Sequence, residues 1–235
     1  RKFALYPQDL MRDTQVTALS QLYPQPLWQW FEQICAIPHP SKHEQALSQH
    51  IQAWAKSKQL AVVEDAVGNV IIRKPATPGM EDRKIVVIQA HIDMVPQKNA
   101  DKVHDFTKDP IEAYVDGDWV KAKGTTLGSD NGIGMASALA ILGSDDIKHG
   151  PLEVLLTIDE EAGMTGAFGL QAGMLDADIL INTDSEQEGE IYMGCAGGVD
   201  AQITLPMVWQ ASEQSYSAFS LHLSGLKVGH SGVNI

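Results

Sequence analysis

The sequence lacks several features that would otherwise set its class. It holds only two cysteines, Cys35 and Cys195, with no CxxC pair and no Cys/His spacing for structural zinc. A disulfide framework is therefore excluded, and a reducing, cytoplasmic setting is expected. No apolar run approaches the roughly 18 residues of a membrane span, and the N-terminus does not run from basic to apolar as a signal peptide does. The 17 Lys+Arg are outnumbered by 30 Asp+Glu and form no cluster, leaving a formal net charge of −13. That balance argues against binding nucleic acid or anionic membrane by counterion release. No Gly-Lys-Ser/Thr follows the glycine-rich loop at Gly128, and Ser129 is not in a GxSxG elbow. A P-loop and a serine hydrolase are both discounted on that ground. Repeats and low-complexity tracts are absent.

What is present is ample for a hydrophobic core, at 235 residues and 44% hydrophobic. Residues 1–15, which begin at Arg1 with Met11 a few residues in, are expected to be an extension. After Pro38 and Pro40, Ser41-Lys42-His43-Glu44 reads as a capping box, and Leu47, Ile51 and Trp54 follow at helical spacing. This predicts a helix from Lys42 to Lys58. The β-branched runs flanking Gly68-Asn69, between Leu60 and Lys74, predict a hairpin. Ile85–Ile88, Val154–Ile158 and Ile179–Ile181 are short and almost wholly apolar, as strands buried on both faces are. Gly/Ala-rich helical stretches at Gly132–Leu142 and Gly166–Leu175 alternate with them. The expected fold is α/β, a mostly parallel sheet flanked by helices. From Gly197 the pattern changes to strand-like segments, Ala201–Leu205 and Ser217–Leu223. The expected domains are 16–196 and, opening there, 197–235.

Four predicted strand ends or loops deliver possible ligands or acids: His91-Ile92-Asp93, Ser129-Asp130-Asn131, Asp159-Glu160-Glu161 and Thr183-Asp184. Each alone has an ordinary explanation. His91 and Asp93 point to the same side of an extended segment, which suits a ligand with its orienting partner and equally suits a polar loop. Asp130 opens a helix, where it can bridge two cations or serve as an N-cap. Glu160 and Glu161 follow the most apolar run. They are either solvated there or offset by a cation, one as ligand and the other taking a proton from bound water. Asp184 is nearer its strand end than Glu186, Glu188 and Glu190, which read as a solvated face or substrate surroundings. One imidazole with hard oxygen donors suits Zn²⁺, Mn²⁺ or Co²⁺ in a hydrolytic site. Taken together, the four favour a two-metal hydrolase. Cys195 reads as a small packed residue rather than a nucleophile, and Cys35 as core.

In order, AHIDMV, GSDNGIG, TIDEEAGMTGA, INTDSEQEGEIYMGCAGG and VGHSGVNI resemble the dinuclear zinc aminopeptidase, carboxypeptidase and aminoacylase superfamily. Within it they are most similar to the bacterial aminoacyl-histidine (Xaa-His) dipeptidases, from Leu22 to Ile235. The resemblance implies hydrolysis of unblocked dipeptides with two Zn²⁺ per site. It implies His91 and Asp184 on one ion, Glu161 on the other and Asp130 bridging, with a cis peptide after Asp130. Asp93 would orient the site, Glu160 would be the general base, and His230 of a lid domain would reach the substrate. A homodimer formed through that lid is implied as well. A later histidine completes the site in such enzymes, so the chain reads as about the first half of one, ending at Ile235. The rival readings are a non-catalytic fragment, or an N-acyl amino acid deacylase using the same metal chemistry.

Overall fold

The apolar runs become neighbouring strands. The computed structural model describes residues 3–4, 18–185, 187–194, 201–211 and 215–222. A five-stranded sheet is built from β2 (Ala61–Glu64), β3 (Val70–Lys74), β4 (Val86–His91), β7 (Leu152–Thr157) and β8 (Ile179–Asn182), in the order β2-β3-β7-β4-β8. β7, β4 and β8 run parallel, with His91 opposite Thr157, while β2 and β3 extend the sheet antiparallel. The sheet is thus mixed, and its parallel part carries the ends that matter below.

Period-two alternation sorts side chains onto the two faces. Val70, Ile72, Ile88, Ala90, Val154 and Leu156 join the large core. Helices α1 (Gln25–Ala36), α2 (Gln45–Ser57) and α3 (Ser129–Gly143) cover that face with Phe31, Ile34, Leu47, Ile51, Met135 and Leu139. Ile71, Val87 and Leu155 point the other way, under Leu170, Met174 and Leu175. β8 departs from the expectation of a strand buried on both faces: Ile179, Leu180 and Ile181 are 42%, 56% and 49% exposed. It is the outermost strand, with β4 as its neighbour among the described residues.

Three further expectations are corrected. α2 begins at Gln45 rather than Lys42, because Lys42 has φ +71 and breaks the helical path. No side chain caps that helix; Ser41 and Glu44 turn to other partners. The second glycine-rich helix shrinks to α4 (Thr165–Gly169), and the chain after it does not continue the helix but packs Leu170, Met174 and Leu175 on the sheet. A second sheet, unanticipated from sequence, has the order β1-β6-β5, from β1 (Phe3–Ala4), β5 (Ala113–Asp116) and β6 (Trp119–Ala122).

The chain divides into two compact units, Arg1–Glu186 and Gln187–Ile235. Residues 201–211 and 217–222 form no strand, which corrects the strand expectations there; alternation yields a strand only where a hydrogen-bonding neighbour exists. Cys195, Leu223 and His230 lie outside the described residues. Among the described residues no helix is long and apolar enough to cross a membrane.

Candidate metal centre

In a parallel sheet, loops at the carboxyl ends of the strands converge. β4 ends at His91, β7 runs out toward Glu160 and Glu161, and Asp184 follows β8 by two residues. α3 supplies Asp130 from its first turn. Gly128 precedes it with φ +72, a left-handed conformation that costs an L side chain energy. The Asp130-Asn131 peptide is cis, and both residues leave helical geometry, so the regular helix starts at Gly132. Gly134 allows α3 to come close to the segment after β8. A Cβ there would lie 2.0 Å from Asn131 Oδ1 and 2.2 Å from Thr183 Oγ1. Thr183 is fixed in turn by its hydroxyl, which donates to the Gln89 carbonyl at 2.9 Å.

His91 sits at the centre, only 1% exposed. Its Nδ1 lies 2.9 Å from the Asp93 carbonyl oxygen and 3.3 Å from Asp93 Oδ1. Nε2 faces Asp130 Oδ1 at 3.0 Å, Asp184 Oδ1 at 3.5 Å and Glu160 Oε2 at 4.0 Å. Two groups of ligand atoms, His91/Asp130/Asp184 and His91/Glu160/Glu161, each fall within 4.8 Å of one another. The geometry therefore gathers His91, Asp93, Asp130, Glu160, Glu161 and Asp184, all picked out from sequence, into one site.

Its electrostatics demand a positive charge. Burial alone would lower the His91 pKa, but Asp130, Asp184 and Asp93 overcome it and push the imidazole up to about 12. Burial, reinforced by the Asp130 charge, pushes Glu161 up to about 7. Glu160 is also raised, first by burial and then by its acidic neighbours, with His91 opposing. Asp93 is the opposite case. Burial favours its neutral form, yet hydrogen bonds from His91, the Glu160 amide and Ser41 hold it down at about 2. With Nδ1 donating to Asp93, a neutral His91 would aim the Nε2 lone pair at carboxylate oxygens. Only a proton or a cation can occupy that place without repulsion. One imidazole, several carboxylates and, among the described residues, no thiolate fit a borderline or hard divalent ion, and the Asp93 contact is the partner a ligating histidine needs.

Sequence reasoning missed the residues that hold this geometry in place. Glu44 is buried, and its Oε1 accepts from the Asp159 amide at 2.9 Å. Ser41 Oγ donates to Asp93 Oδ2 at 2.7 Å. The local signal was there, as SxxE ahead of an apolar run, but its partners lie far along the chain.

The sequence profile of peptidase family M20/M25/M40 matches residues 87–224. The chain belongs to this family. It is 65% identical over 220 residues to the cytosol non-specific dipeptidase of Escherichia coli (strain K12), covering 94% of this chain and 45% of that protein. The crystal structure of aminoacylhistidine dipeptidase from Vibrio alginolyticus matches with TM-score 0.75 and 70% identity, over 76% of this chain and 36% of that one. A tripeptidase from Staphylococcus aureus, 23% identical with TM-score 0.58 over 69% of this chain and 44% of that one, shares the fold. The chain thus spans less than half the length of each of these proteins.

Proposed function

We propose that a polypeptide carrying this chain hydrolyses unblocked dipeptides, Xaa-His among them, with a pair of divalent ions, Zn²⁺ in the first instance. The observation that carries this is the convergence of Asp130, Asp184 and Glu160 on His91 Nε2, in a chain so similar to two dipeptidases. His91, Asp130 and Asp184 would hold one ion, and Glu161 the other, with Asp130 shared between them. Bound there, the ions would polarise the scissile carbonyl and make water acidic enough to attack near neutral pH.

The remaining work falls to the protein. Asp93 fixes the His91 tautomer by taking the Nδ1 proton into a hydrogen bond. Glu160, half-buried with its pKa raised, accepts a proton from the attacking water and returns it to the leaving amine. His230, from a lid spanning 197–235, would contact the substrate carbonyl or carboxylate, and pairing of two copies through that lid would give a homodimer in the cytosol.

The test compares Ala-His with N-acetyl-Ala-His in the presence of Zn²⁺, Mn²⁺ or Co²⁺. The free dipeptide is the expected substrate. Preference for the blocked one would make the protein a deacylase, and stoichiometric metal binding without turnover of either would leave a binding module.

A further inference from the structure

The turn that presents Glu160 and Glu161 has an unusual support. β7 ends at Thr157, and the next four backbone amides have no strand to bond to. Each donates instead to a side chain. Ile158 N–H goes to Asn69 Oδ1 at 3.3 Å and Asp159 N–H to Glu44 Oε1 at 2.9 Å. Glu160 N–H and Glu161 N–H go to the two carboxylate oxygens of Asp93, at 2.9 and 3.1 Å. Three separate segments thus supply an acceptor to each successive amide, and Asp159 takes the left-handed φ of +52 that such a turn requires.

Glu44 is the member with no other evident reason to be there. It is 6% exposed, and a carboxylate pays heavily for leaving water unless its oxygens are bonded. Its carboxylate also comes within reach of those of Asp93 and Asp159, all three buried and mutually repulsive. The helix it precedes gains no side-chain cap from it. What the carboxylate does is accept from two amides, Lys42 N–H at 3.0 Å and Asp159 N–H at 2.9 Å. It thereby ties the start of α2 to the acidic turn 115 residues away.

We propose that Glu44 is a positioning residue for the metal centre: by holding the Asp159 amide it fixes where Glu160 and Glu161 stand relative to His91. This rests on the two-ion reading above, and it predicts an unequal effect on the two ions. Among the described residues, the Glu44 carboxylate accepts from the turn that carries Glu161 and from Lys42, and from no amide of α3 or of the segment that carries Asp184. Its loss should weaken the ion held by Glu161 and spare the other. Glutamine preserves the carbonyl-type acceptor, so it should substitute where alanine or methionine cannot.

The experiment titrates the chain with Co²⁺ by absorbance and calorimetry, and follows amide hydrogen exchange of residues 158–161. Glu44→Ala, and the volume-preserving Glu44→Met should alanine fail to fold, are expected to weaken one of two binding steps by about tenfold to a hundredfold. Glu161→Ala should weaken the same step, and the double variant should add nothing. Glu44→Gln should restore the affinity, and the Asp159 amide should exchange at least about tenfold faster only where the acceptor is gone. Equal weakening of both steps, unchanged affinity, or a glutamine variant as weak as alanine would overturn the proposal. If the parent chain binds no Co²⁺, the two-ion reading fails by itself. Exchange then decides, and an Asp159 amide unchanged in Glu44→Ala or Glu44→Met removes the brace.

Discussion

Asp130 and Asp184 reach His91 from the ends of regular structure, just ahead of the helical turns of α3 and two residues past β8, whereas Glu160 and Glu161 reach it from a turn. The first pair is placed by a helix and a strand whose positions follow from the hydrophobic core: α3 packs Met135 and Leu139 into it, and β8 is registered on β4. The second pair hangs beyond the last bond of β7 and is placed by acceptors from Asn69, Glu44 and Asp93. A cation centre can thus be assembled by two unlike means, packing on one side and side-chain hydrogen bonds to consecutive amides on the other. The two sides should fail in different ways.

The largest expected effect separates a ligand from a proton carrier on the turn side. Glu160→Ala should retain both ions by elemental analysis and lose about 10²- to 10⁴-fold in kcat toward the dipeptide that the parent cleaves. Asp184→Ala should instead lose metal. A Glu160→Ala variant that keeps the parent rate removes this residue from the mechanism. One that loses an ion as Asp184→Ala does makes it a ligand.

The packed side is broken by bulk. Gly134→Ala forces a methyl into Asn131 and Thr183, so α3 must back away and carry Asp130 from Asp184. We expect about 1–3 kcal/mol less stability in urea unfolding, as for other overpacked contacts, together with weaker binding of the ion shared by Asp130 and Asp184. Parent stability with parent affinity would mean that α3 has slack at this crossing and that packing does not set the Asp130 position.

The same contrast explains what could be read from sequence. His91, Asp93, Asp130 and Asp184 adjoin apolar runs or a glycine-rich helix start, and those patterns are local. The strands of the five-stranded sheet came out close to their observed bounds, with Val154–Ile158 expected against Leu152–Thr157, whereas those expected at 201–205 and 217–223 did not. Glu44 was legible only as half of a capping box, because SxxE has the same spacing whether its acceptors turn to their own helix or to Asp159 across the fold. Gly134 looked like any small helical residue, since the tight space beside it is set by the turned-back Asn131 side chain and by Thr183, which follows β8 some fifty residues later. The helix expected over Gly166–Leu175 stopped at Gly169, where chain docking on the sheet through Leu170 and Met174 outweighed local propensity.

A buried group outside both sides sharpens what the His91 site does with charge. Cys35, on α1, is pushed up to about 12 by burial and then by the Glu32 charge, the same value that His91 reaches against burial. Equal numbers here mean opposite states near neutral pH: an imidazole that the carboxylates hold protonated until a cation takes its Nε2, and a thiol held neutral by apolar packing. In a Cys195→Ser background, which isolates the second thiol, Cys35 should react with an aromatic disulfide reagent at pH 8 about a thousandfold more slowly than an ordinary thiol. The thiolate is the nucleophile, and its population falls tenfold for each pH unit below the pKa. Denaturation in urea should restore the full rate. A native rate equal to the unfolded one would show that burial does not control this position, and that α1 opens often enough to expose the core on which α3, and Asp130 with it, is packed.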